Sequence, residues 1–266
     1  MNIRLSGPFR LILAALLVLS LQACATRGTE IGTSAPSDAS NAAWQAYQSY
    51  ASARASDHDP YRLSGSLRYG SQGDTRRVET LLWSNGYLPI RLDVMAGIGV
   101  LVARIQETQD SFTAYAPNEN KAIVHKGPQR VQLNFGRPVP FSLRDFSSLM
   151  RGRFHEVFGA AEGLNPRALP NGDIAFTLSG GILPGMLELR PDGLPVRWSA
   201  ENGWVMDITY DDGNPPLPYK FKLTHPDGYS AILLVKDRQK PKIFLIAVVL
   251  LMMINFIINY HHEVTK

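Results

Sequence analysis

Residues that build reactive or metal-binding centres are scarce in this chain. Cys24 is the only cysteine among 266 residues, so no disulfide bond can form within one chain. The six histidines are scattered and lack the spacing typical of metal ligands. There is no Gly-rich phosphate loop and no serine in a nucleophile elbow, and Gly97-Ile98-Gly99 lacks the third glycine of a dinucleotide-binding fingerprint. We therefore expect a protein that is not an enzyme and that needs no metal or cofactor.

Dense runs of one charge are also missing. The chain has 27 basic and 23 acidic residues, a formal net charge of +4, without a segment rich in lysine and arginine. This balance is too weak to indicate nucleic-acid binding. Hydrophobic residues make up 45% of the chain, which is typical of a globular protein, although both termini raise the figure.

The first residues have the features of a lipoprotein signal peptide. Arg4 and Arg10 are basic, residues 11–21 form a short apolar run, and the small Ala23 precedes Cys24. A cysteine at this point resembles the bacterial lipobox, in which the thiol receives a diacylglycerol. We predict that residues 1–23 are removed, that acylated Cys24 begins the mature chain, and that residues 24–43 form a flexible tether. The alternative is an ordinary secretory signal with a chance cysteine.

The middle of the chain predicts one helix and then many strands. The helix runs from Asn41 to about Arg54, and one of its faces carries Trp44, Tyr47, Gln48 and Ala51. Two groups of alternating segments follow, at residues 61–69, 78–83, 90–94, 100–105, 112–115 and 122–125, and at 173–178, 186–190, 195–199, 204–210, 219–224 and 229–235. Asn85-Gly86 predicts a hairpin. Because the strands are consecutive, we expect one antiparallel sheet that curls on itself.

A segment of different character separates the two groups. Pro138 and Pro140 exclude a central strand, since proline removes the donors of a ladder. Ser142 then caps a predicted helix that ends at Gly152. This helix either closes a core or acts as a mobile lid over a lipid-sized cavity, and residues 163–170 after it predict a loop. The apolar side chains of the helix are Leu143, Phe146, Leu149 and Met150.

Residues 95–100 form an unusual predicted hairpin tip. Such tips are normally polar, whereas here Ile98 stands between Gly97 and Gly99. A bulky apolar side chain held in solvent is typical of a contact with a membrane or a partner. The alternative is that the tip folds back and Ile98 joins the core.

Taken in order, these features resemble the family of the outer-membrane lipoprotein receptor LolB and its LolA-like relatives. The resemblance covers residues 44–237 and rests on order and spacing, because no single motif in it is diagnostic. Its parts are the Cys24 lipobox, the helix with Trp44, residues 90–105 with the Gly97-Ile98-Gly99 tip, residues 136–140 before the helix that ends at Gly152, and the closing hairpin of residues 221–224 and 228–236.

The resemblance implies an α+β fold, with an antiparallel incomplete β-barrel of about eleven strands wrapped around two or three helices. It implies an outer-membrane lipoprotein that faces the periplasm, binds acyl chains of other lipoproteins or of phospholipid in an apolar cavity, and inserts them into the outer membrane. A periplasmic LolA-like carrier would deliver the cargo. Ile98, flanked by Gly97 and Gly99, occupies the place of a protruding leucine that drives insertion.

An acyl chain gains about 0.8 kcal/mol per methylene hidden from water, so a carrier needs an apolar lining. An ordinary core position is the alternative for each candidate lining residue, because cavity walls and cores use the same residue types. The candidates are Leu67, Leu82, Leu92, Val94, Leu101, Phe146, Leu149, Phe176, Leu178, Leu187, Trp198 and Ile208.

The end of the chain, residues 238–266, lies outside the resemblance. A basic linker precedes an apolar run from Ile243 to Ile258 that only Asn255 interrupts. If the run spans the inner membrane, the basic residues before it lie on the outer side, against the positive-inside tendency. The alternatives are a helix packed on the domain and an artefact such as a shifted reading frame.

A second function stays open at this point. The chain is alternatively a non-enzymatic envelope assembly or scaffold lipoprotein that uses the same fold to bind a protein. A hollow apolar interior favours lipid transfer, and an interior filled by side chains favours a scaffold.

Overall fold

The computed structural model describes residues 33–34, 37–55, 58–127, 130–159 and 163–241. The predicted lipidation site Cys24 and the apolar run Ile243 to Ile258 lie outside these residues. The chain divides into two units, residues 1–33 and residues 34–266, and the fold belongs to the second. It begins with a helix that starts within the predicted tether, and its last strand ends two residues after the predicted boundary at 237.

The N-terminal helix α1 (Ser37–Ala55) follows a two-residue strand, β1 (Thr33–Ser34). It starts four residues before the predicted cap at Asn41. Small residues and one tyrosine repeat at three- and four-residue steps on its buried face, which comprises Ser40, Ala43, Tyr47 and Ala51. Gln48, predicted on this face, is exposed, while the Trp44 ring is half-buried and lies 5.0 Å from the Phe176 ring.

The first strand group forms an antiparallel meander of six strands. Its members are β2 (Tyr61–Ser71), β3 (Asp74–Ser84), β4 (Ile90–Ala96), β5 (Val100–Glu107), β6 (Ser111–Ala116) and β7 (Lys121–Lys126), with a 3₁₀ turn at Pro117–Glu119. Buried and half-buried side chains alternate along β3 from Val78 to Ser84, as expected for a sheet with one wet face. The hairpin at Asn85-Gly86 is present, with five residues between the paired Ser84 and Ile90.

The connecting segment crosses the sheet as a ribbon and two helices. Its elements are β8 (Gln132–Asn134), β9 (Pro138–Ser142), α2 (Leu143–Arg151) and α3 (His155–Phe158). The Ser142 side chain accepts a hydrogen bond from the Asp145 backbone N–H, and the Asp145 carboxylate accepts from the Ser142 N–H, forming a capping box. Gly152 ends α2 at φ 72°, a left-handed conformation that suits glycine.

The second strand group adds seven antiparallel strands. They are β10 (Gly163–Ala168), β11 (Ile174–Leu178), β12 (Gly185–Leu189), β13 (Pro195–Ser199), β14 (Val205–Tyr210), β15 (Pro218–Thr224) and β16 (Ser230–Gln239). Consecutive strands pair along the group, and β16 then pairs with β2. This last pairing joins the two meanders and places Leu233 directly opposite Leu67.

The resulting sheet is continuous and open, in the order β10 to β16 and then β2 to β7. It has fourteen strands when the two-residue β1 is included, so the predicted count of about eleven was too low. Strands β8, β9 and β10 were not among the predicted segments, and β9 and β10 contain prolines. Strand β10, predicted as a loop, accommodates Pro166 at an irregularity between Leu164 and Arg167, where a missing N–H breaks no ladder bond.

Pro138 and Pro140 are likewise tolerated in β9, which pairs only with β8 in a separate two-stranded ribbon. One apolar cluster fills the space between the concave face of the sheet and the three helices. The prediction of an antiparallel half-barrel around two or three helices is therefore confirmed at the level of an open barrel-like sheet.

Helix α1 packs beside β10, β12 and α3. The turn between β12 and β13 brings Gly193 so close that a Cβ there would overlap the backbone of Ala46 and Tyr47. Gly163 at the start of β10 is similarly pressed against the Trp44 ring. Glycine is therefore required at both positions, because any larger residue would overlap helix α1.

We expect Gly193→Ala to lower the free energy of unfolding by about 3 kcal/mol, because it adds backbone strain at φ 82° to an overlap with α1. Gly172→Ala is the matched control, since Gly172 has φ 88° and open space around its Cβ position, and should cost only about 1 kcal/mol. Urea denaturation measures both. If both variants lost the same free energy of unfolding, the close contact with α1 would not be the reason for glycine at position 193.

Candidate functional site

A cavity of about 40 Å³ lies between α2 and the concave face of the sheet. Its lining is entirely apolar, and it comes from α2, from the β8–β9 ribbon and from the strands on either side of the β16–β2 pairing. The lining residues are Leu67, Phe135, Val139, Phe141, Phe146, Leu149, Met150, Met206, Phe221, Leu223, Ala231 and Leu233.

The sequence of α2 explains why one of its faces forms the roof of this cavity. Phe146, Leu149 and Met150 are separated by one helical turn or less and are buried, while Arg144 and Arg151 lie toward the rim. On the opposite wall, Leu223 pairs with Ala231, and Leu233 pairs with Leu67. Directly opposed residues point to the same side of a sheet, so these four side chains form one apolar floor.

Polar contacts hold α2 to the sheet around this apolar centre. The Arg144 guanidinium forms an ion pair with the buried Glu107 of β5 and donates to the Thr108 carbonyl at 3.2 Å. Burial raises the pKa of Glu107, and the Arg144 charge opposes that rise. The Tyr61 and Ser147 hydroxyls are 2.5 Å apart, which ties β2 to the middle of the helix.

The C-terminal end of α2 is held by β16. The Arg238 guanidinium donates to the Met150 carbonyl at 2.6 Å and also to the Pro218 carbonyl. A cation at the last carbonyls of a helix satisfies acceptors that have no partner within the helix. Burial lowers the pKa of Arg238 from its usual value, although the side chain stays charged near neutral pH.

The β8–β9 ribbon is held by a second set of contacts. The Tyr229 hydroxyl donates to the Phe135 carbonyl at 3.0 Å, and Arg137 forms an ion pair with Asp227. Burial raises the pKa of Tyr229 to about 12, so its hydroxyl keeps the donated proton at physiological pH. The ribbon and α2 thus form a cover with an apolar underside and polar contacts at its edges.

The size of the cavity sets a condition on what it can bind. About 40 Å³ accommodates only a few water molecules, whereas pockets for drug-sized ligands measure about 300–1,000 Å³. An acyl chain therefore fits only if the cover of β8, β9 and α2 moves away from the sheet. The polar contacts at the edges would then break, and the side chains of the lining would contact the acyl chain instead of one another.

The structure places the twelve candidate lining residues in three groups. Leu67, Phe146 and Leu149 line the cavity. Leu101 is half-buried near the β4–β5 tip, and Ile208 borders a second, mixed polar pocket of about 490 Å³ beside Arg190 and Asp211. The remaining candidates are buried core residues outside the cavity lining, namely Leu82, Leu92, Val94, Phe176, Leu178, Leu187 and Trp198.

Nine lining residues were not among the twelve candidates, although Met150 was already placed on the apolar face of the predicted helix. Those on β14 to β16 were as apolar as the candidates, and only the pairing of β16 with β2 brings them under α2. Phe135, Val139 and Phe141 belong to the proline-containing ribbon, where Pro138 and Pro140 argue against a central strand. Alternation in that segment was the signal that could have found them.

The hairpin tip between β4 and β5 lies apart from this cavity. Gly97 and Gly99 have φ 55° and 78°, and no atom approaches either Cβ position within 4 Å. Ile98 is fully exposed, and Val100 is 56% exposed. The structure therefore holds an apolar side chain in solvent on a backbone that only glycines adopt easily.

Two other kinds of site are absent from the described ranges. None of the helices there combines the length and apolar character that crossing a bilayer requires. Within the same ranges, no three side chains of histidine, cysteine, aspartate or glutamate come together as metal ligands.

We expect Arg144→Met to lower the free energy of unfolding by about 3 kcal/mol at neutral pH, because it leaves the buried Glu107 carboxylate without its cation. Without Arg144, the pKa of Glu107 in the folded protein rises further. The loss in free energy of unfolding is then complete above this raised pKa, and it disappears as the pH falls toward 4.5, the ordinary pKa of a glutamate. Unfolding measured across this range tests it. Arg62→Met, at an exposed arginine, is the control. If the free energy of unfolding lost by Arg144→Met did not change with pH, the Glu107–Arg144 ion pair would not be its cause.

Comparison with known proteins gives similarity in structure without similarity in sequence. No protein-family model and no curated protein sequence matches the chain. Among solved structures, a LolA superfamily protein from Nitrosomonas europaea has a TM-score of 0.53 at 9% identity, covering 76% of this chain and 94% of that one. A DUF1329 family protein from Desulfovibrio piger has a TM-score of 0.54 at 10% identity, covering 77% and 94%.

A third structure is a putative outer membrane lipoprotein-sorting protein domain from Vibrio parahaemolyticus. Its TM-score is 0.52 at 10% identity, and the match covers 78% of this chain and 95% of that one. The three matches cover nearly the whole length of each neighbour and about three quarters of this chain. The LolA-like resemblance seen in the sequence is therefore confirmed at the level of the fold, which this chain shares with these three structures.

Proposed function

We propose that this protein is a non-enzymatic carrier that binds acyl chains of lipoproteins or phospholipids between α2 and the concave face of the sheet. The observation that carries the proposal is the wholly apolar lining beneath a cover held by polar contacts at its edges. The structure from Vibrio parahaemolyticus, described as a putative outer membrane lipoprotein-sorting protein domain, supports the same class of ligand.

The energetics of burial favour this role. Each methylene removed from water gains about 0.8 kcal/mol. Burial of half of a long acyl chain therefore gains more free energy than is lost when the few hydrogen bonds of the cover break, at about 1 kcal/mol each. The Glu107–Arg144 pair adds to the cost of opening. Binding therefore requires an interior that is apolar throughout, as the lining of this cavity is.

We further propose that the acyl chains are delivered to the outer membrane. In this proposal the acylated Cys24 tethers the protein in the bacterial envelope, a LolA-like carrier supplies the cargo, and Ile98 enters the bilayer during transfer. The exposure of Ile98 between two glycines supports the last step. No covalent chemistry is needed, because transfer is an exchange of apolar surroundings.

A scaffold role is the second proposal. The small volume of the cavity favours it, because about 40 Å³ is close to a filled interior. In that case α2 and the ribbon would be a permanent part of the core, and the protein would act in the envelope by binding another protein.

Binding of a fluorescent fatty acid separates the two proposals. We expect the protein to bind it and Ala231→Leu to weaken the affinity about tenfold, because the larger side chain displaces about two methylenes from the cavity. Ala122→Leu makes the same change on the exposed β7 and should leave the affinity unaltered. Absence of binding by the unmodified protein would contradict the carrier role and favour the scaffold.

Ile98→Glu should leave the fold and fatty-acid binding intact, since the side chain contacts nothing in the domain. We expect it to reduce insertion of an acylated lipoprotein into vesicles at least tenfold, because a carboxylate at the tip opposes entry into the bilayer. Transfer to vesicles is measured by flotation, with Ile98→Leu as the control that keeps the tip apolar. Undiminished insertion by Ile98→Glu would remove this residue from the mechanism.

A further inference from the structure

Two arginines face each other across β2 and β3 without a carboxylate to balance them. Arg68 and Arg77 are directly opposite in the register, and both are exposed. Arg68 donates to the Thr75 hydroxyl at 3.3 Å, and Arg77 donates to the Ser66 hydroxyl at 3.0 Å. No ion pair joins either guanidinium to an acid in the described part of the chain. Like charges directly opposite each other destabilise a sheet, so this pair requires another reason.

The acidic residues near the pair are largely neutralised by other partners. Glu79 is paired with Lys236 at 2.8 Å. Asp93, opposite Leu81 and therefore farther from the β2–β3 turn, accepts from both Arg91, at 2.6 Å, and Arg104, at 2.9 Å. The positive charge at this end of the sheet therefore comes from the Arg68–Arg77 pair itself.

Two further charges lie at the β2–β3 turn itself. The exposed Arg76 adds a positive charge next to Arg77, and Asp74, opposite Ser71, adds a negative one. The two offset each other, so the Arg68–Arg77 pair determines the sign of the charge at the turn.

The register places this positive surface next to the apolar hairpin tip. Glu79 of β3 is opposite Met95 of β4, and Met95 is opposite Leu101 of β5. Arg77 precedes Glu79 by two residues, so it lies on the same face of the sheet and level with the tip at Ile98. The surface near the tip therefore has three parts, which follow one another in space. They are the arginine pair, the half-buried Met95 and Leu101, and the exposed Ile98.

We propose that this end of the sheet, formed by Arg68, Arg77, Met95, Ile98 and Leu101, is a docking surface for an anionic phospholipid bilayer. The arginines contact the lipid phosphates, and Ile98 reaches the acyl layer beyond them. Arginine suits this position, since its planar guanidinium binds phosphate oxygens in pairs. The inference rests on the proposed membrane role of the tip and adds the class of lipid that the tip selects.

A bilayer is the occupant because the charge and the apolar tip occur together. A free phosphate or an acidic peptide would be recognised by the arginines without using a fully exposed isoleucine beside them. Anionic bilayers offer both a negative surface and an apolar layer beneath it. The surface fits that order, with charge on the strands and the apolar side chain at the projecting tip.

A fluorophore at the tip tests the proposal in the full-length chain. Cys24→Ser removes the other thiol, and Ile98→Cys carries a fluorophore whose emission shifts in an apolar environment. Vesicles of phosphatidylcholine alone are compared with vesicles that also contain phosphatidylglycerol. We expect the shift at much lower lipid concentration with the anionic vesicles, and we expect added salt to remove the difference.

Arg68→Gln combined with Arg77→Gln should raise the anionic lipid concentration needed for the shift about 30-fold, since each basic side chain at such a surface contributes about a fivefold factor. The response to neutral vesicles should not change. Arg62→Gln is the matched control, because Arg62 is exposed on the same strand at its other end. Circular dichroism checks that each variant is folded.

The outcomes separate this inference from the carrier proposal. The docking surface would be overturned if the labelled protein with both arginines intact gave the same fluorescence shift with neutral and anionic vesicles. It would also be overturned if the double variant needed no more anionic lipid for the shift. Fatty-acid binding is measured on the same proteins and should be unaffected by the arginine changes. Loss of the anionic preference with fatty-acid binding retained supports the inference, and a preference without any fatty-acid binding would overturn only the carrier proposal.

Discussion

Burial of the apolar face of α2 against the concave side of the sheet is the contact on which the rest of this structure depends. An open sheet of this size has one face that must be covered, and the two meanders join at the β16–β2 pairing directly under the helix. Phe146 and Leu149 from above meet Leu67 and Leu233 from below. The capping box at Ser142 and the turn at Gly152 fix the ends of the helix, so the covering face is defined locally.

The same contact explains how one interior can serve both stability and binding. Its centre is apolar and non-directional, so an acyl chain can replace side-chain contacts there at little cost. The directional contacts lie at the edges, where Glu107–Arg144 and the Arg238 bonds to α2 hold the cover in one position. A cavity of only about 40 Å³ is consistent with a cover that is in place when no acyl chain is bound.

Local patterns predicted most of the elements but not which residues face the cavity. All twelve segments with period-two alternation form strands, and Ser142 and Gly152 bound α2 as expected, because these signals act within a few residues. Pro166 and Pro140 concealed strands, because only the finished sheet shows that their positions need no ladder donor. The facing of Arg68 and Arg77, and of Ala231 toward α2, depends on register across strands, which one sequence does not reveal.

Crosslinking with a long-chain fatty acid that carries a photoreactive group at its methyl end tests the central claim most directly. After irradiation, mass spectrometry locates the attached residue. The account predicts attachment within the cavity lining, on α2 around Phe146 to Met150 or on the facing strands at Leu67, Met206 and Leu233. Attachment confined to the outer surface of the sheet, or a complete lack of attachment, would contradict it.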